Sequence, residues 1–201
     1  IQIERHQDVI ELGNKALTIF PNKDDLRVFI AMAHFNKKEY HDSYAVLSET
    51  RNNFTEPDIK RQRNVLFTES AYKSGNFEES FKAFEYLIEE EPEDLILKNN
   101  YSYYLALEGI NLERARDLSY ETIVKEPENS TFLDTYSWIL FKMELFEEAE
   151  IYVRKAIQYD ISGNTEILEH MKQILLKNEK YEEAELIEMK LVELNKEQVN
   201  E

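Results

Sequence analysis

Phe146–Ala156 reads FEEAEIYVRKA, and thirty-five residues further on Tyr181–Leu191 reads YEEAELIEMKL. A third version, FEESFKAFEYL, stands at Phe77–Leu87, sixty-nine residues before the first. Each phrase opens on an aromatic and carries a small residue three positions later. Extending that pair along the chain gives Tyr40/Ser43, Phe77/Ser80, Leu112/Ala115, Phe146/Ala149 and Tyr181/Ala184, spaced by 37, 35, 34 and 35 residues. A fixed period of this length is the mark of one supersecondary unit stacked several times.

A second small residue precedes the first by twelve positions: Ala31 before Ser43, Thr68 before Ser80, Ser137 before Ala149. In the third unit the interval from Ser102 to Ala115 is thirteen, which places one inserted residue near Ile110 or Asn111. Two slender residues at this interval fit a helix–turn–helix hairpin, one in helix A and one in helix B, where the axes come closest. Bulky residues flank them: Ile30, Phe67, Tyr101 and Tyr136 one position before, then Ala71, Leu105 and Leu140 on the same face. Pro21, Pro92 and Pro127 close hairpins, and Gly75 and Gly109 mark turns from A to B. Asn76 and Asn111 are expected to cap helices B, with Glu79 completing a capping box.

On these residues the chain resembles the tetratricopeptide repeat family, whose units are helix–turn–helix hairpins of about 34 residues. The stretch from Arg61 to Asp94 carries the resemblance best, through Phe67, Thr68, Ala71, Gly75, Phe77, Ser80, Phe84 and Pro92. LDTYSWILF, Leu133 to Phe141, is similar to bacterial members, envelope lipoproteins among them. Glu144 and Glu179 replace the turn glycine, Ile161 replaces the closing proline, and Lys172 holds a small-residue slot, implying a more open last hairpin. The resemblance implies an all-α, right-handed α-solenoid of about eleven helices in a single array. Its expected parts are a lone helix B over 1–23, full repeats at 24–60, 61–94, 95–129, 130–164 and 165–197, and a tail over 198–201. Apolar residues at both ends (Ile10, Leu12, Leu17, Ile19; Leu186, Ile187, Met189, Leu191, Leu194) read as part of a longer array or as ends that pair. RNNFTEPDIKRQR, Arg51 to Arg63, reads as a longer loop beside an ordinary helix start.

Composition agrees with helices: Gly and Pro number four each, and 42% of residues are hydrophobic. With 24 basic against 41 acidic residues the net charge is −17, which repels a phosphate backbone and argues against nucleic acid. No apolar run is long enough to span a membrane. The absence of cysteine removes disulfides, thiolate catalysis and cysteine-ligated metal. His34 occupies a slot filled elsewhere by Ala71, Leu105 and Leu140, and reads as a packed imidazole. Pairs such as Glu147/Glu148 favour the positive end of a helix and need no catalytic reading. No catalytic residue, metal site or cofactor is expected, and the compartment is not encoded.

In the resembling family, ligand contacts come mainly from helices A on the concave surface. Carried over, this implies a partner-binding face of Met32, Phe35, Glu69, Tyr72, Asn99, Tyr103, Asp134, Trp138, Phe141 and Gln173. Trp138, Tyr103 and Phe141 would form an aromatic platform. The basic clamp with which some members hold acidic tails is absent, since only Asn99 matches it. The expected function is therefore a non-catalytic protein-interaction scaffold for a protein or peptide with apolar or aromatic anchors and basic flanks. The rival reading is a structural module that assembles, as a homodimer for example, through its uncapped ends.

Overall fold

The turns between paired helices all pivot on one residue in the left-handed region. These are Lys38, Gly75, Gly109, Glu144 and Glu179, at φ 63°, 82°, 66°, 63° and 60°. In each, the pivot N–H bonds to the carbonyl three residues back. The following N–H reaches five back: Glu39 to His34, Asn76 to Ala71, Ile110 to Leu105, Leu145 to Leu140 and Lys180 to Leu175. That pair of bonds is the Schellman closure, which satisfies the last carbonyls of one helix and aims the chain into the next. The inserted residue of the third hairpin is Asn111, itself left-handed at φ 47°.

The computed structural model describes residues 2–51 and 53–199. Among these, regular structure is wholly helical, in eleven helices: α1 (Gln2–Ile19), α2 (Asp24–Asn36), α3 (Tyr40–Ser48), α4 (Pro57–Lys73), α5 (Phe77–Glu90), α6 (Leu95–Glu108), α7 (Leu112–Lys125), α8 (Ser130–Lys142), α9 (Phe146–Tyr159), α10 (Thr165–Lys177) and α11 (Tyr181–Val199). Helices α1 to α5 form one compact unit and α6 to α11 a second, divided between Glu93 and Asp94.

Slender residues do line the hairpin seams. Ser43, Ser80, Ala115 and Ala149 are fully buried and Ala184 is 3% exposed. The hydroxyls there are used: Ser80 Oγ donates to the Thr68 carbonyl across its seam at 2.8 Å, and Ser43 Oγ meets Ser70 Oγ at 2.8 Å. In the first unit Val28, Ala31 and Leu47 pack with Phe54, Ile59, Leu66 and Phe67. In the second, one core joins Phe132, Tyr136, Leu140 and Val153 to Ile167, Ile174 and Leu175. Lys172, in its small-residue slot, keeps a partly exposed ammonium that pairs with Glu169 at 2.6 Å and Glu188 at 2.7 Å.

The expected caps are not where the sequence put them. Neither Asn76 nor Asn111 caps through its side chain. Both lack the extended backbone that an N-cap needs, because the Schellman turn feeds straight into helix B. Asn76 Nδ2 donates instead to Ser74 Oγ. True caps start helices A: Asp94 accepts from the Leu97 N–H, Asn129 from those of Thr131 and Phe132, and Asn164 from that of Glu166.

A glutamate held left-handed is strained, by about 1–2 kcal/mol against the usual right-handed form. Glycine relieves that strain but loses more entropy on folding, roughly 0.5–1 kcal/mol. Glu144→Gly should therefore stabilise the second unit by about 0.5–1 kcal/mol, read from the denaturation midpoint of Trp138 fluorescence; a lower midpoint would contradict the strain argument.

Candidate functional site

One face of α4 repeats at helical spacing: Asp58, Gln62, Val65 and Glu69, with Ile59 and Leu66 beside them. Opposite stand Met32 and Phe35 of α2. Together with Arg61 these residues line a cavity of about 540 Å³. Most of its lining is apolar (Met32, Phe35, Ile59, Val65, Leu66), with Arg61 and Gln62 standing along α4 between the acidic members Asp58 and Glu69. Arg61 Nε donates to Glu91 at 2.6 Å, so its charge is already balanced. Three of the sequence-expected residues, Met32, Phe35 and Glu69, thus meet in one concavity. Asp58, Ile59 and Leu66 were not expected there. The signal that could have found them is the heptad-like run along α4, whose polar start hides the apolar stripe.

Three expected aromatics serve the hairpins as well as any groove. Phe35 lies edge-on to Tyr40 at 5.1 Å, Tyr72 against Phe77 at 5.2 Å, and Phe141 against Phe146 at 5.5 Å. In each pair the last turn of helix A latches onto the ring that opens helix B. This is why the repeated phrase begins with an aromatic.

In the second unit the expected residues divide by depth. Asn99, Asp134 and Trp138 are buried, at 5%, 7% and 7% exposure; Tyr103 and Phe141 are half-buried, and Gln173 is exposed. His170, which sequence reasoning passed over, organises them. Its Nδ1 lies 2.9 and 3.0 Å from the two Asp134 oxygens. Its ring stacks on Trp138 at 4.1 Å, and Trp138 stacks in turn on Phe141 at 4.8 Å. Tyr103 approaches the same imidazole at 6.2 Å and donates its hydroxyl to Glu166. The Trp138 ring is thus sandwiched rather than laid open as a platform. Asp134 and His170 lie thirty-six residues apart, one repeat plus one position, which is where adjacent helices A touch.

Burial pushes the Asp134 carboxyl up, against the pull of His170, while Glu166 and Asp160 push it further. A raised carboxyl favours the folded state when protonated, so that contribution is present at acid pH and lost as pH rises through the folded value. Glu150 behaves oppositely. Burial would raise it, but Lys180, Arg154 and Asn178 all donate to it and hold it below the usual carboxylate range. Its contribution is present above that range and lost as pH falls. Glu150 lines a cleft of about 800 Å³, where Arg154 and Lys180 pair with it and Lys177 lies over the Phe146 ring.

His34 is half-buried and holds Glu39 Oε2 at 2.7 Å, while Lys37 takes Oε1. With Asp42 these form a group of metal-ligand type within 4.8 Å, among the described residues. The Lys37 ammonium already occupies the carboxylate such an ion would need.

No family model matches the chain. It is 29% identical over 97 residues to TPR repeat-containing protein PA4667 of Pseudomonas aeruginosa, a match that covers 47% of this chain and spans only 16% of that protein's length. Among solved structures it resembles MamA 41-end from Desulfovibrio magneticus RS-1 at a TM-score of 0.69 and 13% identity, over 87% of this chain and 96% of that one. MamA AMB-1 gives a TM-score of 0.64 at 13% identity, over 83% and 95%. At such identity the structural likeness speaks for the fold.

Proposed function

We propose, from the premise that this chain is a tetratricopeptide-repeat protein, that it is an interaction scaffold which holds a protein segment along its helices A. The observation that carries this reading is the apolar cavity between α2 and α4. A concavity of several hundred cubic ångströms, mostly apolar with a few polar groups, is the usual form of a recognition site. The segment's anchor is an apolar or aromatic side chain seated among Met32, Phe35, Val65 and Leu66. Basic neighbours suit a surface whose net charge is −17. In the second unit, taken by itself, Tyr103, Phe141 and Gln173 are the half-buried or exposed members of the expected set. Asn99, Asp134 and Trp138 lie beneath and fix the floor.

The test is selection of displayed random peptides on the whole chain, followed by titration of the enriched sequences. Val65→Lys should weaken those peptides at least tenfold while the helical circular dichroism persists. Enriched peptides that bind this variant as well as the parent would overturn the reading.

A further inference from the structure

We propose that a recess on the other side of α4 binds a carboxylate joined to a small apolar body, at a site independent of the α2–α4 groove. Lys60, Arg63, Asn64 and Phe67 follow one another at helical spacing, on the face of α4 turned away from Gln62, Val65 and Glu69. With Tyr86 and Leu87 of α5 they line a recess of about 370 Å³. That is near the lower end of the roughly 300–1,000 Å³ that small-ligand sites occupy. Among the described residues no carboxylate lines it. Its charges are two cations, on a chain whose net charge is −17.

Arg63 is already held in place. Its Nε donates to Thr50 Oγ1 at 2.9 Å, Nη2 to the Leu47 carbonyl at 3.1 Å and Nη1 to Asn64 Oδ1 at 3.2 Å. Its guanidinium lies 4.5 Å over the Phe67 ring. All of these acceptors are neutral, and each terminal nitrogen has a second N–H to give. Asp24 reaches Arg63 only through its field, because that carboxylate holds the Arg51 and Asn53 N–H groups and Arg27. Burial outweighs this field and pulls the guanidinium down from its ordinary value. A half-buried cation thus stands without a counter-ion in contact, which a bound anion would relieve. Lys60 and Tyr86 are exposed, and among the described residues neither has a hydrogen-bond, ion-pair or ring partner. The ammonium and the phenol hydroxyl can both donate to the same carboxylate, while Phe67 and Leu87 meet its apolar body. A phosphate dianion suits the recess less, since apolar walls leave its further oxygens unpaired and the acidic chain repels its second charge.

Isothermal titration of the whole chain compares phenylacetate with its neutral amide, phenylacetamide, and with acetate, which lacks the ring. Phenylacetate should bind about tenfold tighter than the amide, the worth of a hydrogen bond to a charged group. It should also bind tighter than acetate. Lys60→Glu, made at an exposed side chain without a partner, should erase the lead over the amide while the helical circular dichroism stays unchanged. Arg63→Gln should do the same, and where it disturbs the helical signal Lys60→Glu decides alone. Gly-Gly-Gly-Phe with a free terminal carboxylate, measured against its amide, identifies the source. A larger lead for the peptide assigns the carboxylate to a chain terminus, and a larger lead for phenylacetate assigns it to a free acid. Acid and amide agreeing within about twofold, or a lead that survives Lys60→Glu, would remove the site.

Discussion

Ala149→Phe should destabilise the second unit by about 3 kcal/mol, the upper end of what overpacking usually costs. Ala149 is fully buried on α9, and so is Ser137 on α8, its counterpart twelve residues earlier. A phenyl ring has no room between two backbones that meet over such short side chains, so the pair must separate. Val153 and Ala156 on α9 and Leu140 on α8, all at most 1% exposed, would then lose their contacts. Ala149→Ser is the matched control, since a seryl hydroxyl can donate to a facing carbonyl as Ser80 does; it should stay within about 1 kcal/mol. The sole tryptophan, Trp138, lies in this unit and reports its denaturation directly. A Phe variant within 1 kcal/mol of the parent would mean that the seam is not close-packed.

Asp24→Ala should be nearly as costly to the first unit, about 2–4 kcal/mol. Asp24 is 1% exposed, and its Oδ2 accepts the N–H of Arg51 at 2.7 Å and of Asn53 at 2.8 Å. Arg27 pairs with its other oxygen. Alanine leaves two part-buried main-chain donors without their acceptor, while Arg27 keeps the Pro21 carbonyl and Glu49; an unsatisfied buried donor costs about 1–3 kcal/mol. The neighbouring Asp25 holds Thr55 through both N–H and hydroxyl. Together the two carboxylates pin the connection that leads into Pro57 and α4, and hence one wall of the cavity. Because Trp138 lies outside this unit, hydrogen exchange of the α2 and α4 amides is the readout. Faster exchange there with the α8–α11 amides unchanged is expected; uniform protection would show the carboxylate to be dispensable.

The segment from Arg51 to Arg63 shows why some of this escaped the sequence. Its length and composition mark a loop, correctly as far as Pro57. Nothing local reveals that Asp24, nearly thirty residues upstream, supplies its hydrogen bonds. The caps failed for a related reason. Asn76 and Asn111 have the right chemistry before the right helices, yet the left-handed pivot one or two residues earlier sets a backbone that a capping side chain cannot use.

What the sequence determined by itself was the succession of hairpins, because a repeated interval between slender residues is a direct record of where paired helices cross. The family resemblance, carried over residue by residue, put Met32 and Phe35 of α2 and Glu69 of α4 among the helix A contacts, a placement that spacing within one helix does not give. Tertiary structure alone decided what those contacts become. Whether an aromatic latches its own hairpin, as Phe35 does on Tyr40, or is sandwiched, as Trp138 is between His170 and Phe141, depends on which residue of the neighbouring helix arrives opposite it. That pairing is set by packing between repeats, where a shift of one position brings His170 onto Asp134, and no periodicity within a single helix encodes it.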